Sequence, residues 1–339
     1  MHIVELGEVL GVTSNVSQIN HCHRPGQHCG SSAIRDLLEF HGLNLTEAFC
    51  FGLGAGLGIT YVEVPDSATP FIVHVRSMGF EENVFRALGV PFSWSSYPNK
   101  QEATADMNEA LRDGVPALLL TDIYHLPYFN SSTHFPGHAI VAWQLDEARD
   151  EVLVSDTERP GLISVPGVSL GDARFSTSPP FVHYGNLFAP RSLKVEVSAE
   201  QVRAAIIENA RVLAEGNRNS GLSALDTWIE LLPRWREQEN WRWLLRFAYQ
   251  VIEKRGTGGA GFRAMYADFL LEAGEMLPVV RMAKLVELMQ CSAMAWSELA
   301  ALLKIASETD VFPICEIEAA ITRIKLQETQ YVHQVISKL

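Results

Sequence analysis

Three scarcities bound this chain of 339 residues. Cysteine is the first: Cys22, Cys29, Cys50, Cys291 and Cys315 are the only five, too scattered for a disulfide framework, so free thiols are expected. Basic charge is the second. Lys and Arg number 27 against 40 Asp and Glu, a net charge of −13, and nonspecific wrapping of nucleic acid needs a positive field. Long apolar runs are the third: Val115–Leu120 is among the longest, far short of the ~18 residues of a membrane span, so no membrane partner is expected. The opening MHIVELGEVLGVT is acidic and has no small-residue cleavage site. It does not read as a signal peptide, and the cytoplasm is the expected compartment. The sequons at Asn15, Asn44 and Asn130 then carry no meaning.

Proline is also scarce, but only in the second half. Thirteen of sixteen lie before residue 192, leaving Pro233, Pro278 and Pro313. Because proline blocks helix interiors and central strands, residues 1–192 are expected to be loop-rich and mixed, and 193–339 helical. A capping-box spacing, Ser198 to Gln201, opens the helical half, and helical periodicity continues near 222–232, 239–254, 262–273, 276–308 and 313–337. Five of seven tryptophans fall there (Trp228, Trp235, Trp241, Trp243, Trp296) and read as packing between helices. In the first half, Ser31–His41 predicts a helix stopped by Gly42. Strands are predicted at 71–75, 117–121, 138–143 and 152–155, the last two joined as a hairpin by QLDEARDE. Helix first and antiparallel strands later is an α+β pattern.

Chemistry gathers around Cys29, in GQHCGSSAIRDLL, immediately before the first helix. The positive end of the peptide dipoles favours a thiolate there, and Gly30, Ser31 and Ser32 leave room and backbone N–H donors for an oxyanion. His138 opens the strand HAIVAW, and Asp156 ends the next strand, VLVSD. A hairpin brings these two ends together, so Asp156 is expected to orient His138 toward Cys29, the nucleophile–base–orienter arrangement. Cys50, Cys291 and Cys315 lie among apolar residues and read as core fillers.

Rival features stand beside that triad. HCHRPGQHC packs His21, Cys22, His23, His28 and Cys29 together, and HFPGH adds His134, but no second metal-type element follows, so neither metal nor cofactor is expected. His134 is an alternative base, lying in a loop without an aspartate in hairpin register. FGLGAGLG (Phe51–Gly58) and GTGGAG (Gly256–Gly261) lack the strand context of a dinucleotide fold, yet Gly54, Gly56, Gly258 and Gly259 offer backbone amides to a substrate. From Pro233 to Arg263 seven basic residues face three acidic ones, a local docking candidate on an acidic protein.

HCGSSAIRDLLEFHGLNLTEAFCFGLGAGLGITY resembles the N-terminal domain of the butirosin biosynthesis protein H family, which is related to papain-like peptidases that process bacteriocin leaders. The matching marks are His28, Cys29, His41, Gly42 and Phe51–Gly58. GHAIVAW and VLVSDTERPG look like the peptidase histidine and aspartate blocks, and RGTGGAGFRAMYADFLLEA resembles the uncharacterised helical domain that follows. The resemblance implies a papain-like catalytic domain over 1–192, a helical domain over 193–339, and an acyltransferase of secondary metabolism. Its founding member moves an aminoacyl group from a carrier-protein phosphopantetheine thioester to an amine of an aminoglycoside. By carry-over, Cys29 attacks the thioester, His138 manages protons and Asp156 orients it. Papain-like enzymes place an oxyanion glutamine about six residues before the cysteine; here that position is His23, and Gln27 stands only two before it. The implied partners are a carrier protein, docking near Arg242, Arg246, Lys254 and Arg255, and a small amine acceptor; a homo-oligomer is compatible with the sequence. A cysteine hydrolase using the same triad, and a non-catalytic binding module on the same fold, are the alternatives.

Overall fold

The computed structural model describes residues 22–339 apart from 66 and 68. The opening segment, with its signal-peptide reading, the sequon at Asn15 and His21, lies outside the described residues. The chain is mixed α and β, with helix over 52% and strand over 13%. It divides into two compact units: residues through Glu47 together with Val90–Glu196, and Ala48–Gly89 together with Val197–Leu339. The chain crosses between them three times, and the last crossing, after Glu196, falls near residue 192. The excursion of 48–89 into the helical unit has no counterpart in the proline distribution, because it is a matter of tertiary pairing.

The first unit holds α1 (Cys29–Phe40), α4 (Lys100–Arg112), α5 (Gly167–Arg174) and an antiparallel sheet of β3 (Ala117–Thr121), β4 (His138–Asp146), β5 (Glu151–Ser155) and β6 (Ile163–Pro166), in the order β3-β4-β5-β6. Helix α1 packs against β4, and β4 is buried from His138 to Trp143, which explains why HAIVAW reads as an unbroken apolar run. One face of the sheet forms a core of Leu119, Ile140, Ala142, Val152, Val154 and Val165 with Met107 and Leu111 of α4 and Leu170 of α5. Ile34, Leu37 and Leu38 of α1 are fully buried. Their i, i+3, i+4 spacing gives α1 a single apolar face.

The second unit pairs β1 (Leu57–Glu63) with β2 (Phe71–Arg76), antiparallel, and contains α3 (Phe80–Ala87). The helix α2 (Glu47–Leu53) spans the crossing between units at its first residue. The rest is helical: α6 (Ala199–Ala214), α7 (Ser223–Arg236), α8 (Trp241–Glu253), α9 (Arg263–Met276), α10 (Pro278–Met282), α11 (Leu285–Ala306) and α12 (Ile314–Lys338). Ser198 and Gln201 form the predicted capping box. The single helix expected over 276–308 is broken at Lys284, whose φ is +54°. Trp228, Trp235 and Trp296 are fully buried, whereas Trp243 is exposed. At the centre, Glu328 accepts from Arg263 Nε at 2.7 Å, Trp296 Nε1 at 2.7 Å and Ser292 Oγ at 2.9 Å, and both ionic side chains are wholly buried. Satisfied on every side, this pair is a structural anchor. Among the described residues no helix is long and apolar enough to cross a membrane.

Candidate active site

Cys29 is the first residue of α1, and His28 caps the helix by accepting the Ser31 N–H on its Nδ1 at 3.2 Å. The Ser32 N–H donates to the His28 carbonyl. These two amides, read from sequence as oxyanion donors, are therefore already taken up. The Glu47 carboxylate sits under the same turn, accepting from the backbone N–H of Gln27 at 3.0 Å and of His28 at 2.7 Å, and from Ser31 Oγ at 3.2 Å. It fixes the loop that delivers Cys29, which is half-buried.

His138 comes to Cys29 from the start of β4. Its Nε2 lies 2.9 Å from both oxygens of Asp156, and its ring also hydrogen-bonds Cys29, for which Nδ1 is the remaining nitrogen. The register explains how the aspartate arrives. Val141 pairs with Ser155, but Gln144 pairs with Leu153, a one-residue shift between Ala142 and Gln144. Continued without that shift, the ladder would set Asp156 opposite residue 141, on the sheet face away from His138. With it, Asp156 falls opposite Ile140, the diagonal same-face neighbour of His138.

The carboxylate is held as an anion by three donors: His138, the Tyr128 hydroxyl at 2.6 Å and the Thr157 N–H at 2.6 Å. Burial works against the charge, but the His138 charge and these hydrogen bonds outweigh it and hold Asp156 below its ordinary value. Burial likewise pushes the His138 pKa down. The charge and hydrogen bond of Asp156 and the hydrogen bond and charge of Cys29 overcome it and raise the imidazole to about 10. Burial and the Asp156 charge push the Tyr128 hydroxyl well above its ordinary value, so it remains a donor. Phe129 meets the His138 ring edge-on with centroids 5.1 Å apart, and Arg159 lies over Tyr128 and Phe129. Stitches tie the Asp156 turn to the Cys29 loop: Gly26 N–H to the Thr157 carbonyl at 2.7 Å, and Ser32 Oγ to Thr157 Oγ1 at 3.2 Å.

His23 is not an oxyanion donor. Its Nδ1 lies 2.7 Å from Asp36 Oδ2 and its Nε2 2.7 Å from the Arg159 carbonyl. Both partners are acceptors, so the two contacts suit a ring that donates from both nitrogens, and they join α1 to the loop after β5. Burial lowers its pKa, but the Asp36 and Arg159 hydrogen bonds and the Asp36 charge leave it raised. Gln27 is exposed, and its side-chain amide remains a candidate.

The glycines depart from expectation. Gly54 and Gly56 are buried and their N–H groups donate to the Cys50 and Phe51 carbonyls. A Cβ on Gly54 would lie 2.4 Å from Phe80, and one on Gly56 2.5 Å from Phe51. The run FGLGAGLG is thus a packing device and not a substrate cradle. Gly259, at φ +91°, donates to Thr257 Oγ1, and the neighbouring Ala260 N–H donates to the Glu253 carboxylate at 3.2 Å, which occupies the place an anion would take. Gly258 is exposed. Arg242 pairs with Asp310, Arg246 pairs with Glu308 at 2.8 Å, and Arg255 lies over Phe247, while Lys254 is exposed. Cys50 is fully buried as a core filler should be, but Cys291 and Cys315 are exposed, because the buried stripes of their helices run through Met289 and Ser292 and through Ile317 instead.

Two residues went unnoticed in the sequence: Tyr128, and Asp122 as the partner of His134. His134 has no aspartate from the β4–β5 hairpin but does have one after the end of β3, for its Nδ1 lies 2.6 Å from Asp122 Oδ2. Asp122, His125 and His134 each offer one ligand atom within 4.8 Å of the others, the spacing of a metal cluster. However, Ser176 Oγ and His134 already address Asp122 Oδ2, and the Tyr124 and Phe135 amides address Oδ1. With both oxygens so engaged, the carboxylate is better suited to orienting His134 than to ligating an ion.

Fold and site together define a mixed α/β protein whose sheet presents a histidine and an aspartate to a cysteine at a helix N-terminus. Residues 28–157 match the family model Butirosin biosynthesis protein H, N-terminal, and residues 168–335 match Domain of unknown function (DUF4872). The chain belongs to the butirosin biosynthesis protein H family, with its N-terminal domain and uncharacterised C-terminal domain in that order. The search of curated proteins finds no match.

Proposed function

We propose that the first unit is a papain-like cysteine acyltransferase that moves an acyl or aminoacyl group from a carrier-bound phosphopantetheine thioester to an amine. The observation that carries this reading is the continuous chain Asp156–His138–Cys29, its carboxylate–imidazole link 2.9 Å long, at the start of a helix packed on an antiparallel strand. A family named for a protein of antibiotic biosynthesis supports the substrate class.

In the resting site, an imidazolium beside a thiolate is the form that a raised His138 favours. Cys29 Sγ attacks the thioester carbonyl, and His138 gives its proton to the departing pantetheine sulfur. One sulfur ester replaces another, so the step is nearly level in energy. An amine then attacks the acyl-enzyme. Its nitrogen forms the amide bond, the electron pair returns to Cys29 Sγ, and neutral His138 accepts a proton and becomes imidazolium again. Tyr128 and the Thr157 N–H keep Asp156 ionised throughout, so the imidazole never loses its orienter. Gln27, beside the nucleophile, is the side-chain candidate for the oxyanion.

Incubation with an acyl carrier, with and without amines, tests the proposal. Amine-dependent amide product supports transfer. Equal release of free acid whichever amine is present would show hydrolysis by the same residues instead.

A further inference from the structure

A second imidazole–carboxylate pair lies at the same end of the β3–β4 ladder as the first. Asp122 directly follows Thr121, which is the cross-strand partner of His138 and donates through Oγ1 to the His138 carbonyl at 2.9 Å. His134 lies four residues before His138, in the loop that leads into β4, and its Nδ1 is 2.6 Å from Asp122 Oδ2. Both imidazoles therefore occupy the same end of the β3–β4 pair. Asp122 is wholly buried, and its four donors hold it rigidly. Burial opposes its charge, but the hydrogen bonds from Ser176 and His134 and from the two backbone amides keep it below its ordinary value. The His134 ring stacks on Tyr124 with centroids 4.1 Å apart, yet 40% of the side chain stays exposed. An imidazole with one nitrogen fixed by a buried carboxylate and its ring partly open to solvent is a mounted base. The carboxylate of a loop-closing aspartate needs no histidine for its own satisfaction, since three other donors already serve it.

We propose that His134, positioned by Asp122, is the base that deprotonates the incoming amine. The inference rests on the acyl-transfer reading and deepens it. An aliphatic amine near neutral pH is mostly an ammonium ion, given a reference pKa of about 10.4 for a lysine-type amine. Converting R–NH3+ to an amide removes two protons. His138, neutral after protonating the pantetheine sulfur, takes the one released as the N–C bond forms and the C–S bond breaks. The other must leave earlier, to free the lone pair that attacks. His134 takes that proton and returns it to water, so each imidazole handles one proton per turnover. The titratable and ring neighbours of His134 are Asp122, His125 and Tyr124, and His183 lies at the Pro136 carbonyl in the adjacent loop.

The test forms the acyl adduct on Cys29 with a small thioester and chases it with two acceptors at pH 7.5. One is an alkylamine, protonated at that pH; the other is an alkoxyamine, a weak base that is already neutral. His134→Gln should leave adduct formation within twofold of the parent. Release to the alkylamine should slow at least tenfold, the deficit closing as pH rises toward the amine's own pKa. Release to the alkoxyamine should stay within twofold. Asp122→Asn should reproduce the same pattern more weakly. Equal slowing with both acceptors would assign His134 a structural role, and no slowing with either would remove it from the reaction; each overturns the proposal. A parent protein that forms no adduct at all would overturn the acyl-enzyme reading itself, an outcome distinct from both.

Discussion

Asp156→Asn isolates the charge on which the site depends. Asparagine keeps the shape and one acceptor, which the Thr157 N–H at 2.6 Å would hold, and turns its amide toward Tyr128, whose hydroxyl can accept as well as donate. What disappears is the negative charge beside a buried imidazole. Burial depresses His138 and only Cys29 would still raise it, so without Asp156 its pKa should fall well below about 10. Each pH unit of that fall removes about 1.4 kcal/mol of preference for the imidazolium. At pH 7.5 the imidazolium would no longer be nearly the whole population, and with its orienting charge lost thioester acylation should fall at least about tenfold. The parent's stability carries the same signature. A folded pKa above the unfolded one confers stability that is fully present below 6.5, declines as pH rises, and is gone above about 10. Titration of ring-labelled histidine by NMR reads the midpoint directly, and denaturant unfolding from pH 6 to 10 reads the linkage. A variant that still titrates near 10, or a parent that titrates near 6.5, would refute the reasoning.

Tyr128→Phe removes the 2.6 Å hydrogen bond to Asp156, so the carboxylate should protonate more readily. Its pKa is depressed in the fold, so the acid limb of the pH–rate profile, where activity is lost as pH falls, should move upward by about one pH unit. Glu328→Gln leaves the wholly buried Arg263 without its counter-charge and should cost the helical unit about 3–5 kcal/mol, roughly 10 °C in calorimetric melting. Joint replacement of Arg242, Arg246, Lys254 and Arg255 by Glu should weaken carrier-dependent turnover while sparing turnover of a small thioester. If both rates stay intact, the basic patch has no part in docking. Pairs such as Arg246 with Glu308 imply that a carrier must compete with the protein's own acids there.

Much of this was legible from local pattern. The helix after Cys29 follows from its i, i+3, i+4 apolar residues and from Gly42 at its end, and the structure ends α1 at Phe40 with Gly42 at φ +89°. β3 at 117–121 emerged as expected, because its apolar run is bounded by turn residues. The meeting of His138 with Asp156 was inferred from hairpin ends, but the register shift that puts both on one face leaves no mark in QLDEARDE. Contacts set by distant pairing were invisible for the same reason. His23 reads as an oxyanion substitute by position, yet Asp36 and the Arg159 carbonyl consume it. Asp122 looks like an ordinary strand end until the loop folds His134 back onto it. Helices α3 and α4 went unread because their apolar faces are narrow, with only Phe80, Val84 and Phe85, and Ala103, Met107 and Leu111, buried.

The most direct measurement is intact-mass analysis with peptide mapping after brief exposure to a pantetheine-type thioester. An increment equal to the acyl group, confined to the peptide bearing Cys29, absent in Cys29→Ala and strongly reduced in His138→Ala, is the result expected. An unmodified Cys29 under turnover, or an adduct carried equally by the exposed Cys291 and Cys315, would contradict the account.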